Sequence, residues 1–571
     1  MTWLRRFFVA AVFVSLVSAS TKIPLDKDLV VELKNGGSLI GTVLNSFSGR
    51  RIRSFLGVPY AKPPIGELRF KPPVPFPPWQ GIINATESGS LCYQLDFIGD
   101  HFSGPPIGSE DCLFLNIYTP PLERLPKTGF PVMVHIHGGG WLGGTNNHQE
   151  VSPAYIMDED VILVNINYRV GIFGFLSSES LECPGNYGLK DQVESLRWIK
   201  EHISVFGGDP NTVTIFGESA GAASVSYLLE SEKSKGLFHR AIMQSGIFFN
   251  PWAQPLHKGV ARKRALKVAE WVNCGNEKGN WAEIVSCLKQ VDGYDLVRKS
   301  NKLTEWNGYP FFIFQPTIEP SHPEAFLDKH PRKDALNSLD IPILTGITTG
   351  EGIMSSVPIL SNEKLLRDVK EDVENKFPLM LGYDHLDKDQ QKDVTRELER
   401  FYLKNGHHYN KFDHQNFTDI FSDALFLHGF DEYLEKRPSL NSAPTYVYVF
   451  DMATNNSFSK KIGGGDRYYG VSHGDDKQFF IPIQKLESSL RGNSLVMKSA
   501  LVKLLVNFAS YGNPTPNASG FRKWEPVTKK PWNFVRMGVT NDQGFHVFLN
   551  EQNYERDRFN FWKSLFAHID K

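Results

Sequence analysis

The sequence TVTIFGESAG, at residues 212–221, decides the fold class of this chain. Its first five residues are β-branched or aromatic and predict a strand, and the pentapeptide that follows opens a segment typical of a helix. A glycine stands two positions to each side of Ser219, as a sharp strand-to-helix turn requires where there is no room for Cβ atoms. The pattern predicts a nucleophile elbow. Because glycine and serine are common residues, this prediction depends on the remainder of the sequence.

Further short runs, apolar throughout rather than alternating, predict parallel strands covered on both faces. They occupy residues 130–137, 161–168, 213–216, 241–244, 341–347 and 445–450. Between them lie segments with helical spacing of apolar residues, such as 189–206, so we expect an α/β fold with a mostly parallel central sheet. Residues 261–340 and 360–440 are interpreted as largely helical insertions. Since no Pro/Gly/Ser-rich linker divides the chain, we expect residues 21–571 to form one domain.

The composition argues against several classes of partner. The 571 residues are 41% hydrophobic and 22% charged, and 62 Lys and Arg face 63 Asp and Glu for a formal net charge of −1. This balance gives no electrostatic reason to expect nucleic acid or an acidic surface as a partner. The sequence also has neither a cluster of His and Cys at metal-ligand spacing nor a dinucleotide glycine fingerprint. No metal or organic cofactor is therefore implied.

Residues 1–20 have the organisation of a secretory signal peptide. Arg5 and Arg6 precede an apolar run at 7–17, and small residues follow at 18–20. The run is too short to span a bilayer, which argues against a membrane anchor. We expect cleavage between residues 18 and 22 and secretion of the mature protein.

The five cysteines fit an oxidising compartment. Cys92 lies near Cys112 and Cys274 near Cys287 in the sequence, which favours two local disulfides and leaves Cys183 over. Each such bond would stabilise the fold by about 3 kcal/mol in the loop-entropy model. Spacing alone does not fix the connectivity.

Four asparagines, Asn84, Asn416, Asn455 and Asn517, are followed two positions later by Ser or Thr with no proline between. This is the acceptor pattern for N-glycosylation. In a chain with a signal peptide, at least one of these sites is expected to carry a glycan.

The sequence HGGGW at residues 137–141 directly follows a predicted strand. Three consecutive glycines allow backbone N–H groups to point into a cavity, as in the oxyanion holes of esterases and lipases. The N–H of Ala220, the residue after the serine, would be a further donor. This run lies upstream of the elbow and is very rare by chance, which indicates acyl-transfer chemistry.

A serine nucleophile needs a base and an orienting carboxylate, and in α/β-hydrolases the chain order is serine, acid, histidine. Glu351 follows the predicted strand at 341–347, and His473 follows the one at 445–450. The pattern alone leaves alternatives, because the chain has 17 histidines and Asp340 is a second acid near the first of these strands. Asp340 precedes its strand and so falls at the wrong end of it.

Several further motifs resemble the type-B carboxylesterase family, which includes carboxylesterases and cholinesterases. These are FLGVPYA at 55–61, EDCLFLN at 110–116, NYR at 167–169, FGGDP at 206–210 and QSG at 244–246, in addition to the HGGG run and the elbow. The resemblance extends over residues 25–565. It implies an α/β-hydrolase fold, a small-molecule ester as substrate, and acyl transfer through a covalent intermediate.

The resemblance also implies roles for individual residues. Ser219 would be the nucleophile, Glu351 the acid and His473 the base. Gly139 and Gly140 would donate hydrogen bonds to the oxyanion together with Ala220, and the implied disulfides are Cys92–Cys112 and Cys274–Cys287.

Other positions match the family less specifically. Trp252, Phe312 and Phe314 correspond to aromatic residues that shape the acyl pocket in relatives, although they could equally be core aromatics. Ser245 and Glu218 resemble members of a polar network near the base.

Two pairs, Arg69 with Glu110 and Arg169 with Asp191, resemble structural ion pairs of the fold. We interpret these four residues as scaffold rather than as parts of the site.

The family leaves three alternatives to a general carboxylesterase. Cholinesterases place a tryptophan between the first two disulfide cysteines, and residues 93–111 contain none. Juvenile-hormone esterases usually carry Gln where this elbow has Glu218, so the hormone interpretation is disfavoured. Neuroligin-like adhesion proteins lose triad residues that this chain retains. The pattern is most similar to that of secreted insect esterases, including pheromone- and odorant-degrading ones, and leaves open the natural ester and whether the protein is a monomer or a homodimer.

Overall fold

A computed structural model describes residues 27–95, 104–332, 338–403, 414–454, 457–465, 467–483, 490–517, 519–528 and 531–569. The predicted signal peptide and the sequon at Asn455 lie outside these ranges. None of the helices in these ranges combines the length and the hydropathy that a membrane span requires.

The strands are numbered in chain order: β1 Val30–Glu32, β2 Ser38–Ile40, β3 Thr42–Asn45, β4 Arg51–Pro59, β5 Ile82–Asn84, β6 Gln94–Leu95, β7 Pro106–Ile107, β8 Phe114–Thr119, β9 Phe130–Ile136, β10 Ile162–Ile166, β11 Gly208–Glu218, β12 Arg240–Gln244, β13 Ile343–Thr348, β14 Thr445–Phe450, β15 Asn533–Asn541 and β16 Gly544–Gln552. An 11-stranded sheet has the order β16-β15-β14-β13-β12-β11-β9-β10-β8-β4-β3. Neighbouring strands are parallel from β15 to β10, and antiparallel strands complete both edges.

The helices are α1 Gly171–Phe175, α2 Tyr187–His202, α3 Ala220–Glu230, α4 Val260–Trp271, α5 Trp281–Gln290, α6 Gly293–Ser300, α7 Ile353–Leu360, α8 Glu363–Glu371, α9 Val373–Leu381, α10 Lys388–Tyr402, α11 His414–Ser422, α12 His428–Leu440, α13 Phe458–Ile462, α14 Asn493–Tyr511 and α15 Arg556–Ile569. A π-helical segment, Asp423–Leu427, connects α11 to α12.

The central strands are apolar throughout because both faces of the sheet are covered. In β9, Val132 and Val134 pack in the core on the side of α2 and α3, whereas Met133 packs in the core on the side of α14. Successive side chains of a strand point to opposite faces, so a strand buried on both sides has no polar face. The predicted α/β fold with a mostly parallel central sheet is confirmed.

The six predicted strands are present with shifted ends as β9–β14. The predicted helix at 189–206 is α2, which continues as a short 3₁₀ segment, Ile203–Phe206. The insertion at 360–440 is helical where the structure describes it, from α8 to α12.

The prediction of a largely helical insertion at 261–340 is wrong for its second half. Helices α4 to α6 end at Ser300, and no α-helix occurs in residues 304–332. Prolines recur through this stretch at positions 310, 316, 320, 323 and 331. Each lacks the N–H that a helix needs and restricts the residue before it, so the stretch cannot continue as a helix.

Covalent and ionic links hold the loops around the sheet. Disulfides join Cys92 to Cys112 with an S–S distance of 2.07 Å and Cys274 to Cys287 with one of 2.03 Å, and Cys183 is a buried free thiol. These are the pairs that the family resemblance implies.

The two scaffold ion pairs are also present. Arg169 donates from Nε to Asp191 at 2.7 Å, with both side chains buried. Arg69 donates from Nε to Glu110 at 2.7 Å.

Candidate functional site

Ser219 lies at the turn between β11 and α3 in a strained backbone conformation. Its φ of 58° and ψ of −126° fall in a region that non-glycine residues rarely adopt. A Cβ added at Gly221 would lie 2.1 Å from the carbonyl oxygen of Ile136, and one at Gly217 would lie 2.6 Å from the carbonyl carbon of Gly221. The two glycines therefore permit a turn that leaves Ser219 half-buried rather than enclosed.

The glycine run after β9 lies directly against Ser219. A Cβ at Gly138 would lie 3.1 Å from the Cβ of Ser219. Gly139 and Gly140 have φ values of 106° and 62°, which turn the chain back on itself and favour glycine. Among the described residues, the N–H groups of Gly139, Gly140 and Ala220 have no hydrogen-bond acceptor. Three unengaged donors thus belong to the glycine run and the elbow, which are in contact through Gly138 and Ser219.

The structure brings Glu351 and His473 together at the carboxyl ends of β13 and β14. Nδ1 of His473 lies 2.6 Å from Oε2 of Glu351. The other carboxylate oxygen of Glu351 accepts hydrogen bonds from Oγ of Ser245 at 2.5 Å and from the N–H of Thr348 at 2.7 Å. Since Glu351 is fully buried, these partners fix its position and, through it, that of the imidazole.

A second carboxylate faces the other ring nitrogen. Oε1 of Glu218 lies 2.8 Å from Nε2 of His473, and Nζ of Lys477 lies 3.8 Å from Oε2 of Glu218. In the described part of the chain, no hydrogen bond joins Oγ of Ser219 to the ring. The imidazole therefore lies between Glu218 and Glu351, with a hydrogen bond to Glu351 through Nδ1 and a charge contact, without hydrogen-bond geometry, between Nε2 and Glu218.

This environment favours the imidazolium form of His473 and the carboxylate form of Glu218. Burial disfavours the imidazolium, but the charges of Glu218 and then Glu351 outweigh burial and raise the pKa of His473 to about 10. Burial also acts against the carboxylate of Glu218, yet His473 and Lys477 lower its pKa below the usual value.

Asp475 and Asp476, which follow the histidine, are site residues that the sequence analysis did not identify. Asp475 is buried and accepts hydrogen bonds from Oγ of Ser457 at 2.5 Å, from the N–H of Phe458 at 2.8 Å and from the N–H of Ser472 at 2.8 Å. Asp475 therefore connects the loop that carries His473 to the start of α13.

Asp476 belongs to a second buried group beneath the site. It accepts hydrogen bonds from the hydroxyl of Tyr448 at 2.5 Å and from Nε2 of Gln244 at 3.2 Å. Burial raises the pKa of Asp475 to about 7 and that of Asp476 to about 6. The sequence does not predict these roles, because Asp475 and Asp476 in a glycine-containing stretch are equally typical of a solvated surface turn.

Aromatic rings form a wall beside the oxyanion loop. Trp252 and Phe312 are stacked with ring centroids 5.0 Å apart, and the Phe312 ring would lie 3.3 Å from a Cβ at Gly140. Phe426, from the π-helical segment, is 5.8 Å from Trp252 and 4.8 Å from His473 between ring centroids. Phe314 is buried in the same core as Trp252 and Phe426, but among the described residues it has no ring contact with this wall. No sequence motif predicts that Phe426 belongs to the site, because its position depends on the local π-helical geometry.

The three rings Trp252, Phe312 and Phe426 also line a cavity of about 1280 Å³. Neither Ser219 nor His473 is among its lining residues. Over the described ranges, no group of three or more His, Cys, Asp or Glu residues is arranged to hold a metal ion.

Comparison with known proteins is consistent with this geometry. The model of the carboxylesterase family matches residues 27–562. A juvenile hormone esterase of Tribolium castaneum is 34% identical over 546 residues, which cover 92% of each chain. A carboxylic ester hydrolase of Bombus ignitus is 33% identical over 537 residues and 93% of each chain, and esterase FE4 of Myzus persicae is 35% identical over 522 residues and 90% of each. The crystal structure of juvenile hormone esterase from Manduca sexta, with OTFP covalently attached, superimposes with a TM-score of 0.81 at 27% identity and covers 94% of this chain and 99% of that one.

Proposed function

Because this chain belongs to the carboxylesterase family and is a serine carboxylic-ester hydrolase, we propose that it acts through an acyl group carried transiently on Ser219. Oγ of Ser219 attacks the ester carbonyl, and Nε2 of His473 takes the hydroxyl proton. The N–H groups of Gly139, Gly140 and Ala220 bind the oxyanion, and loss of one such donor typically costs about 2.7–4 kcal/mol of barrier. The alcohol leaves with the proton from His473.

In the second half of the reaction, a water molecule attacks the acyl group. His473 takes its proton and returns it to Ser219 as the acid departs. Glu351 remains ionised throughout, keeps the proton of the neutral ring on Nδ1 and stabilises the imidazolium when it forms. The observation that carries this proposal is the strained turn at Ser219 beside three unengaged N–H groups.

The proposal is tested by turnover of a simple aryl ester by the purified Ser219→Ala variant. We expect kcat to fall by at least about 10⁴-fold with unchanged folding, because the nucleophile is removed and the oxyanion donors remain. Ser48→Ala, at an exposed serine, is the matched control and should retain wild-type turnover. A Ser219→Ala enzyme that kept most of its activity would rule out the assignment.

The natural substrate class has two candidates. The similarity to juvenile hormone esterases of two insects favours a hormone-type esterase, whereas Glu218 in the elbow favours a general carboxylesterase. We propose the general activity as the first candidate. Comparing kcat/KM for juvenile hormone with that for 1-naphthyl acetate separates the two, since a hormone esterase should prefer the former. The alternative of a non-catalytic, neuroligin-like adhesion protein is not proposed, because the chain is an ester hydrolase.

We further propose that residues 1–20 are removed and that the mature enzyme is extracellular. The apolar run at 7–17 and the two disulfides support this destination. N-terminal sequencing of protein from the medium of expressing cells should begin between residues 19 and 23. Retention of the full chain inside the cells would contradict it.

A further inference from the structure

Lys477 is a buried lysine on the loop that carries the proposed base. It begins a short 3₁₀ segment, Lys477–Phe479, and its side chain is only 9% exposed. Lysine is almost never buried unless its ammonium has a partner. Among the described residues, Glu218 is the one acid within ion-pair distance of it, with 3.8 Å between Nζ and Oε2. The ammonium of Lys477 therefore lies next to the residue that precedes the nucleophile.

The backbone of Lys477 is fixed on both sides. Its N–H donates to Oδ1 of Asp476 at 2.9 Å. Its carbonyl oxygen accepts hydrogen bonds from the N–H groups of Phe480 at 3.1 Å and Ile481 at 2.9 Å. Because the backbone is held, a small movement of the two side chains is enough to bring the ammonium and Glu218 into hydrogen-bond contact.

The carboxylate of Glu218 lies between two nitrogen atoms. Oε1 is 2.8 Å from Nε2 of His473, and Oε2 is 3.8 Å from Nζ of Lys477. Nε2 has no hydrogen-bond partner among the described residues. In the proposed reaction this nitrogen starts with a lone pair, since the proton of the neutral ring is on Nδ1, which faces Glu351. A carboxylate oxygen is repelled by that lone pair and attracted by the imidazolium, so the two forms of the ring favour different positions of Glu218.

Lys477 is the cation that can receive Glu218. Within the described ranges, no other Lys or Arg lies within ion-pair distance of Glu218, Glu351 or Asp476. Two buried histidines also face the lysine, at the end of β9. Burial and the charge of Lys477 lower the pKa of His135, and they lower that of His137 to about 4, so both rings are neutral. The other titratable groups around the base, whose pKa values burial raises, are Asp475, Tyr168 and Tyr448.

We propose that Lys477 is a positioning residue of the proposed reaction: it draws the carboxylate of Glu218 away from the neutral imidazole and so leaves Nε2 of His473 open to the hydroxyl of Ser219. This inference rests on the proposed function, in which His473 is the base. When the imidazolium forms, the carboxylate returns to the ring. Lys477 contacts neither the ester nor the reacting atoms and acts through Glu218. Its positive charge also disfavours the imidazolium and thus opposes the two carboxylates beside the ring.

The pH profile of kcat/KM for a neutral ester tests this role. Lys477→Met keeps most of the length of the side chain and removes its charge, so the imidazolium is favoured and the acid limb should move to higher pH by about one unit. Below the limb, kcat/KM should therefore fall about tenfold. Lys477→Arg keeps the charge and should keep the wild-type limb. Lys498→Met is the matched control, because Lys498 is a buried lysine that pairs with Asp158 at 3.0 Å and packs over Phe47, and its limb should also stay at the wild-type pH.

A double variant keeps the test decisive if Lys477→Met fails to fold. Glu218→Gln/Lys477→Met removes both members of the buried pair and leaves neither charge without its partner. Its acid limb should lie at least about half a unit above that of Glu218→Gln alone, because the ammonium no longer opposes the imidazolium. Coincident limbs for these two variants, or a limb of folded Lys477→Met at the wild-type pH, would overturn the proposal.

Labelling with diisopropyl fluorophosphate separates this proposal from the proposed function. Each variant is labelled and mapped before its profile is measured, and Ser219 should be modified in all of them. A labelled enzyme with an unmoved limb counts against the role of Lys477 alone. An enzyme that hydrolyses the ester and is not modified at Ser219 counts against the proposed function.

Discussion

Oε1 of Glu218 lies 2.8 Å from Nε2 of His473, the nitrogen that must accept the proton of Ser219 in the proposed mechanism. The residue immediately before the nucleophile therefore places a negative charge beside the ring nitrogen that the nucleophile must reach. Together with the 2.6 Å contact between Nδ1 and Glu351, this arrangement places the imidazole between two carboxylates. Each carboxylate stabilises the imidazolium, which is the form the base takes during the reaction and not the form it needs at the start.

The pH dependence of the enzyme should report on Glu218. The neutral ring is the active base, and the two carboxylates raise the pKa of His473, so the acid limb of kcat/KM should lie above the ordinary histidine range. Glu218→Gln removes one negative charge, lowers the pKa of His473 and should move the acid limb to lower pH by about one unit or more. Profiles of kcat/KM for a neutral ester measure this shift. Glu67→Gln, at an exposed acid, is the control and should leave the acid limb of kcat/KM at the wild-type pH. If the acid limb of Glu218→Gln also stayed at the wild-type pH, Glu218 would not act on the pKa of His473.

Asp475 should act as a positioning residue for His473. Asp475→Ala leaves the N–H groups of Phe458 and Ser472 without their acceptor, which should lower the free energy of unfolding by about 2–3 kcal/mol. Because the loop carries the base, kcat should fall with little change in KM. Urea unfolding and steady-state kinetics measure the two effects. Asp340→Asn, at an exposed acid that also accepts backbone hydrogen bonds, should change neither the free energy of unfolding nor kcat. If KM of Asp475→Ala rose as much as kcat fell, the positioning role would be contradicted.

Phe312 should limit the size of the acyl group. Its ring lies against the oxyanion loop, so Phe312→Ala should raise the ratio of kcat/KM for a butyrate ester to that for an acetate ester by about tenfold. Phe314→Ala is the matched control from the same segment, since Phe314 packs in the core and does not line the cavity. That variant should lose stability by about 3–5 kcal/mol without a change in the ratio. Equal changes in both variants would show that Phe312 is only a core residue.

Glycan occupancy should differ among the sequons of the secreted protein. Asn84 and Asn517 are exposed, whereas Asn416 lies in α11, and Thr418, the hydroxyl residue of its sequon, is buried and hydrogen-bonded to Ser356 at 2.8 Å. We expect glycans at the two exposed sites and none at Asn416. Peptide mapping after enzymatic deglycosylation in heavy-oxygen water measures each site. A fully occupied Asn416 is the result that this account excludes.

The sequence predicts the central sheet well, because a strand buried on both faces must be apolar along its whole length. The elbow and the HGGG run are recognisable for a related reason: contacts such as that of Gly221 with the carbonyl of Ile136 exclude every side chain but hydrogen. The stretch at 304–332 departs from the helical prediction because its prolines exclude a helix, although the charged, helical character of the neighbouring segments favours one.

Other parts of the site have no local signal. Phe426 reaches His473 only through a π-helical segment, and Asp475 matters only because three distant donors converge on it. These relationships arise in three dimensions, so neither periodicity nor composition contains them.

The central claim is that the acyl group of the substrate passes through Ser219. Rapid acid quenching of the enzyme during turnover of a slowly deacylating aryl ester, followed by peptide mass mapping, measures this most directly. The account predicts that the peptide containing Ser219 gains the mass of the acyl group and that Ser219→Ala protein gains none. An acyl group on any other residue, or full turnover with no acylated peptide at any time, would contradict it.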